Sequence, residues 1–517
     1  MKHARILALV LGVVMSAGSV WGADTPKHGG RLIFGIRKDL SSLNPFWRTQ
    51  STDAYVRQIM FEGLMDFDAK GKIVPALAES WTISPDGLTY TFKLRNGVKF
   101  HNGKEMTAQD VKWSADYAMN PKNAATGLSL MRNVKSVTAR DKHTIEITLK
   151  EAEPIFFSTL ASIRPFPVVP EGSVGEGQSR VKDFPPGTGP FVYKEYQSAR
   201  GLVLTRNVNY WQKGLPYLDE IVLKPVEETQ VRFTSLRAGD LDLIERTPRV
   251  FVPKLIKGDF PDLKVAEAKY SGFRRLIFEV TKPPFNNVKF RHAVRQALDM
   301  REFVRAAYWG FGEPATVWAI PSTSPWHIGL PEVKRDVAKA KALVKESGVD
   351  PNTVIELAAR KGEEEEMQVI ERQLTTAGFK VKLEFLTGGK ISRRRRSGEF
   401  MLDFSGAEPV KDPADAYPFR FSCLEGKRAK RILNYSGYCN PEFDKLVARA
   451  NKIQDEKERY KVYEKAIRIV HEDLPEIPLV FVPRYFAFHK KVRGFTTDDG
   501  ARFNMTTGGL SRTWLDQ

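Results

Sequence analysis

Apolar and polar residues alternate along residues 31–37 (RLIFGIR), which predicts a strand, and Leu43-Asn44-Pro45 ends it. Tyr55, Val56, Ile59, Met60 and Leu64 recur at helical spacing, so a helix is expected over 53–65. Alternation returns at 87–101 (GLTYTFKLRNGVKFH), where Asn96-Gly97 predicts a hairpin turn. Thr107, with Asp110 three residues on, reads as the cap of a helix running through Tyr117. Strands are expected at 143–150, 202–206, 221–226, 354–358, 380–386 and 479–488. Helices are expected at 227–238, 290–308, 333–346, 363–377 and 441–472. The densest punctuation, Pro185-Pro186-Gly187-Thr188-Gly189-Pro190, predicts a crossing between domains. Strands and helices alternate without a clean βαβ repeat, so the expected class is mixed α/β (α+β).

A chain of 517 residues implies several domains at roughly 100–200 residues each. Hydrophobic residues make up 42% and charged residues 27%, which excludes a disordered or fibrous chain. Met1-Lys2-His3-Ala4-Arg5, an apolar run from Ile6 to Met15 and small residues from Ser16 to Ala23 have the layout of a secretory signal peptide. Val20 and Gly22 suit the positions a signal peptidase reads, so cleavage is expected before Ala23. No cysteine near the cut could carry a lipid. The expected product is exported to an oxidising compartment, the periplasm. There Cys423 and Cys439, 16 positions apart, are expected to form a disulfide, the alternative being two buried thiols.

The net charge of +18 is spread over the chain and acts as a field rather than as a site. Arg393 to Arg396 lack the interleaved aromatic residues of a nucleic-acid site and read as a solvated face or loop. Glu363 to Glu366 suit the start of a helix. No phosphate loop, nucleophile elbow or paired-histidine motif is present, so neither a cofactor nor a metal is expected. An exported hydrolase is a remote reading.

One region is specific. Pro75-Ala76-Leu77-Ala78-Glu79-Ser80-Trp81, then residues 84–103 (SPDGLTYTFKLRNGVKFHNG) and Thr107-Ala108-Gln109-Asp110-Val111, closely resemble the signature of the family 5 extracellular solute-binding proteins. Asn44-Pro45, Gly187-Thr188-Gly189-Pro190-Phe191, Asn209-Tyr210-Trp211, residues 285–298 (FNNVKFRHAVRQAL), Cys423, Asn434-Tyr435-Ser436 and Cys439 agree in the same order.

The resemblance implies a two-lobe periplasmic-binding-protein fold with an extra smaller domain and a ligand cleft between hinged lobes. The expected division is a signal peptide at 1–22, lobe I at 23–62, 186–272 and 482–517, the extra domain at 63–185 and lobe II at 273–481. It further implies capture of a dipeptide or oligopeptide for an ABC importer, with the permease membrane subunits as partners, no nucleic acid, and a monomer. A nickel chelate, haem, opine or oligosaccharide is the alternative cargo. In peptide-binding members an Asp after a Trp holds the ligand's ammonium. Here Phe404 stands for the Trp and Glu408 for the Asp, with Asp412-Pro413 one residue further on. The implied ligand-binding residues are therefore Phe404, Glu408 and Asp412, with Thr49, Gln50 and Ser51 on the facing side.

Overall fold

The computed structural model describes residues 25–42, 44–47, 51–68, 72–153, 155–161, 165–177, 184–424, 431, 433–498, 503, 505 and 507–516. The expected signal peptide, Thr49 and Gln50 lie outside them. Among the described residues no helix is long and apolar enough to cross a membrane.

Two parallel groups of strands and one long antiparallel pair make up most of an eleven-stranded mixed sheet. Strand Arg31–Ile36 forms because Leu32, Phe34 and Ile36 all bury against the core. It pairs in parallel with Glu220–Pro225 and with Leu243–Ile244. The second group is Val354–Arg360, parallel to Lys380–Leu386 and to Leu402–Ala407.

Between the groups runs the central pair, Leu263–Phe278 against Glu476–His489. Its register shifts between Ala268 and Gly272. Ahead of the shift, Leu243–Ile244 pairs with Phe488 and Ala487. Beyond it, Phe273 to Phe278 pair with Ala407 back to Leu402. These registers fix the directions. Leu243–Ile244 runs toward the level of Ala268, and Leu402–Ala407 runs toward the level of Gly272. The carboxyl ends of the two parallel groups therefore point at each other across the irregular stretch 268–272.

Several expectations are corrected. The helix expected over 290–308 is two, Val288–Gln296 and Met300–Tyr308, because Asp299 caps the second by accepting from Glu302 N–H at 2.8 Å. The helix over 441–472 splits likewise at Asp455, which accepts from Glu458 N–H at 2.8 Å. The strand Thr89–Leu94 ends before Asn96-Gly97 and pairs with Ala78–Ile83 and Thr144–Leu149, so no long hairpin follows the turn. The arginine run lies on helix Gly388–Ser397, not in a loop; Arg393 and Arg396 are on a solvated face, as the other reading had it, but Arg395 is not. Arg395 is buried there, with Nε 2.9 Å from Asp403 Oδ2 and Nη2 donating to Phe404 O at 2.8 Å.

A separate four-stranded antiparallel sheet, ordered Ala78–Ile83, Thr89–Leu94, Thr144–Leu149, Val134–Asp141, is covered by helix Ala108–Met119. The segment Gly187–Pro190 returns from it against the end of helix Ser51–Met60, where Gly189 N–H caps Met60 O at 3.0 Å. His101 Nδ1 accepts from Gly187 N–H at 3.2 Å, and Nε2 lies 3.0 Å from Gly189 O. Those partners suit a neutral ring, and burial pushes its pKa down to about 4.

Nearby, the buried Glu62 accepts from Tyr210 Oη at 2.9 Å and Trp211 Nε1 at 3.0 Å. Burial nevertheless pushes its carboxyl up to about 7. A folded value above the ordinary 4.5 means that the folded state binds the proton more tightly. Glu62 therefore contributes full stability below pH 4.5 and loses it as pH rises through 7. His101 has the opposite sign, contributing above 6.5 and losing as pH falls through 4. Between pH 5.5 and 8, Glu62→Gln should remove roughly 1–2 kcal/mol of the wild-type stability loss. Urea unfolding at the two pH values checks this, and parallel losses in both proteins would refute it.

Cys423 and Cys439 are joined by a disulfide. Inside the loop, Asn434 Nδ2 donates to Ser422 O at 2.9 Å and Tyr438 O at 2.8 Å, and Ser436 Oγ donates to Asn434 Oδ1 at 3.1 Å. Asn434-Tyr435-Ser436 thus holds the closed loop in shape. Reduction should lower stability by roughly 2–3 kcal/mol on loop entropy. A thermal midpoint unchanged by dithiothreitol would contradict it.

Candidate functional site

In open sheets with parallel strands, ligands bind outside the carboxyl ends of the strands. Here two sets of such ends converge. Arg37 follows Ile36, Glu245-Arg246 follow Ile244, and Glu408 follows Ala407. The central pair supplies Arg484, opposite Ala268, and Arg274, opposite Gly406.

On the first side a fully buried carboxylate organises the groups. Glu245 accepts from Arg37 N–H at 2.7 Å and from Tyr55 Oη at 2.9 Å. Tyr55 in turn accepts from Arg484 Nη1 at 3.1 Å. Burial, then the charge of Glu245, push the Tyr55 hydroxyl above its ordinary value, so it stays a donor. Arg246 Nε lies 3.8 Å from Glu245 Oε2.

On the other side, Arg274 Nε donates to Tyr308 Oη at 3.2 Å, and its Nη1 lies 3.6 Å from Glu363. Glu408 is exposed just past the end of its strand. Phe404 is placed differently from the ligand-facing role the resemblance implied. Its side chain is fully buried with Leu276, Leu402 and Val480, because strand alternation turns it into the core. Asp412 caps the short turn Pro413–Asp415, accepting from Ala414 N–H at 2.9 Å, and pairs with the buried Arg459 at 2.6 Å. Ser51 opens the helix that carries Tyr55 one turn later. Among the described residues no cluster of three or more His, Cys, Asp or Glu could hold a metal.

The family model of the bacterial extracellular solute-binding proteins, family 5, matches residues 72–428. The chain belongs to this family. As a family 5 solute-binding protein it is 28% identical over 511 residues to the glutathione-binding protein GsiB of Escherichia coli K12, covering 95% of this chain and 96% of that one. Among solved structures it is similar to the periplasmic binding protein DppA of Helicobacter pylori in complex with the peptide STSA. The TM-score is 0.79 at 27% identity, over 95% of this chain and 99% of the other. It is also similar to the ABC transporter substrate-binding protein CtaP of Listeria monocytogenes, with a TM-score of 0.83 at 25% identity over 95% and 100%. The α/β periplasmic-binding-protein fold is thereby established.

For a solute-binding protein, the crevice residues that sequence reasoning missed are Arg37, Tyr55, Glu245, Arg246, Arg274 and Arg484. They come from distant parts of the chain: the strand order and helix Ser51–Met60 bring Arg37, Tyr55, Glu245, Arg246 and Arg484 to one side, and Arg274 stands on the other. One signal was available: an arginine within two residues of the end of a short apolar strand, as in FGIR at 34–37 and LIER at 243–246.

Proposed function

We propose that the protein captures a peptide or peptide-like solute in the periplasm and delivers it to the membrane subunits of an ABC importer. The convergence of two sets of strand ends at the central pair carries this reading. Such a crevice offers main-chain groups and charged side chains to an extended ligand from both sides. Names of similar proteins that bind glutathione or a peptide support it, as does the signal-peptide layout at 1–22. The stretch 268–272 serves as the hinge between lobe I (23–62, 186–272, 482–517) and lobe II (273–481), with 63–185 as the extra domain. Contacts between that domain and lobe II, such as Lys411 Nζ 3.9 Å over the Phe67 ring and Arg132 4.5 Å over the Phe419 ring, suit a closing movement.

Glu408 is the proposed partner of the ligand's ammonium. Closure would desolvate it, and removal of one partner of such a pair costs about 2 kcal/mol or more. Glu408→Gln should keep the fold and weaken binding of a free-amine peptide at least thirtyfold, with a far smaller effect on the N-acetylated peptide. Calorimetric titration of both peptides tests this. Equal small effects would move the role elsewhere, to Asp415 or to a cargo without an ammonium. Binding without compaction in solution scattering would refute the hinged capture itself.

A further inference from the structure

The first side of the crevice holds more positive charge than its fold uses. Arg246 lies beside the buried carboxylate of Glu245, Arg484 donates to that carboxylate's partner Tyr55, and the charges of Arg484 and Arg37 both act on Arg246. The fully buried Arg232 sits behind them and spends its donors on Val226 O, Glu227 O and Glu245 O. Arg484 gives one N–H to Tyr55 Oη at 3.1 Å, whereas Arg37 and Arg246 keep unused donors. The Arg37 and Arg246 Nε atoms are buried and have no hydrogen-bond partner among the described residues. Arg246 reaches Glu245 only at 3.8 Å, and its side chain is 40% exposed. Its backbone is in the left-handed region, φ +52, which a side chain such as arginine rarely adopts. Burial, then repulsion from Arg484, hold its guanidinium below the ordinary arginine value.

An arginine packed beside two others, on a disfavoured backbone and with unused donors, costs stability unless something compensates it. The compensating group must be an anion, and planar guanidinium forks match a carboxylate. We propose that Arg37, Arg246 and Arg484 form a carboxylate receptor on the first side of the crevice. The captured solute is then an acidic peptide-like zwitterion, its carboxylate here and its ammonium on the opposite side. This rests on the capture reading above. Tyr55 and Glu245 are positioning residues: Tyr55 holds the Arg484 guanidinium, and Glu245 holds Tyr55 and the main chain of Arg37.

The test uses two pools of glutamate-containing tripeptides, one with free carboxylates and one fully amidated. Retention by the full mature protein is read by native mass spectrometry and calorimetry. Arg246→Asn tolerates the left-handed backbone, and Arg484→Gln is the second variant. The wild type should retain the acid pool at least tenfold better than the amide pool. Each variant should bind the acids at least thirtyfold more weakly, with a thermal midpoint unchanged or raised, since a repelling charge is removed. Rescue of thermal stability without loss of acid binding would overturn the receptor. So would equal retention of both pools, and that result would leave peptide capture standing. Retention of neither pool would overturn capture and the receptor together.

Discussion

Asp412→Ala is expected to lower folding stability by about 3–5 kcal/mol, because it strands a buried guanidinium. Asp412 and Arg459 meet at 2.6 Å with side chains 12% and 9% exposed. Arg459 also lies 4.4 Å over the Trp326 ring, and its Nε and Nη1 have no other partner among the described residues. Replacing both partners with apolar groups removes the desolvation cost along with the attraction, so Asp412→Ala with Arg459→Met should recover most of the loss. Urea unfolding of the single and double variants measures this. An Asp412→Asn protein of native stability that no longer binds peptide would instead make Asp412 a ligand contact.

Gly187→Ala is expected to cost about 3 kcal/mol, the upper range of overpacking. A Cβ there would lie 2.0 Å from Met60 O and 2.9 Å from a Phe61 ring carbon. Neither can retreat easily. Met60 O already accepts from Gly189 N–H, and Gly187 is held to His101 through its N–H and its carbonyl. Gly189 is as tightly confined, 2.6 Å from Met60 C. Gly97 and Gly103, with nothing within 4 Å, are the controls, although their positive φ strains any substitution there. Denaturant midpoints should fall most for Gly187 and Gly189. Equal small losses at all four positions would show that backbone conformation, not space, sets the cost.

These two sites illustrate what the sequence disclosed. Gly187-Thr188-Gly189-Pro190 was readable as a crossing because its residues resist helix and strand. Its reason, contact with a helix end more than a hundred residues earlier, was not. Strand Arg31–Ile36 and helix Ala108–Met119 were visible because each buries one regular face. The strand Leu263–Phe278 was missed because its alternation breaks at the 268–272 shift, where Lys269, Ser271 and Gly272 interrupt the apolar pattern. Helices 288–308 and 441–473 looked continuous because amphipathic spacing carries over the capping aspartates. The family resemblance led to Glu408, but the guanidinium cluster needed the sheet order.

The position of strand Glu476–His489 also bears on how the chain is made. It is a central strand of the large sheet, yet it is among the last to be synthesised. Arg31–Ile36 emerges roughly 450 residues earlier, which at about 5–20 residues per second is on the order of half a minute or more. Until then Leu243–Ile244 and Leu263–Phe278 lack the partner that lies between them, and both present open edges. A nascent chain in that condition stays loose enough to be threaded elsewhere, and it is also liable to aggregate. A fragment ending before Glu476 should therefore accumulate in inclusion bodies, while the full chain should remain largely soluble.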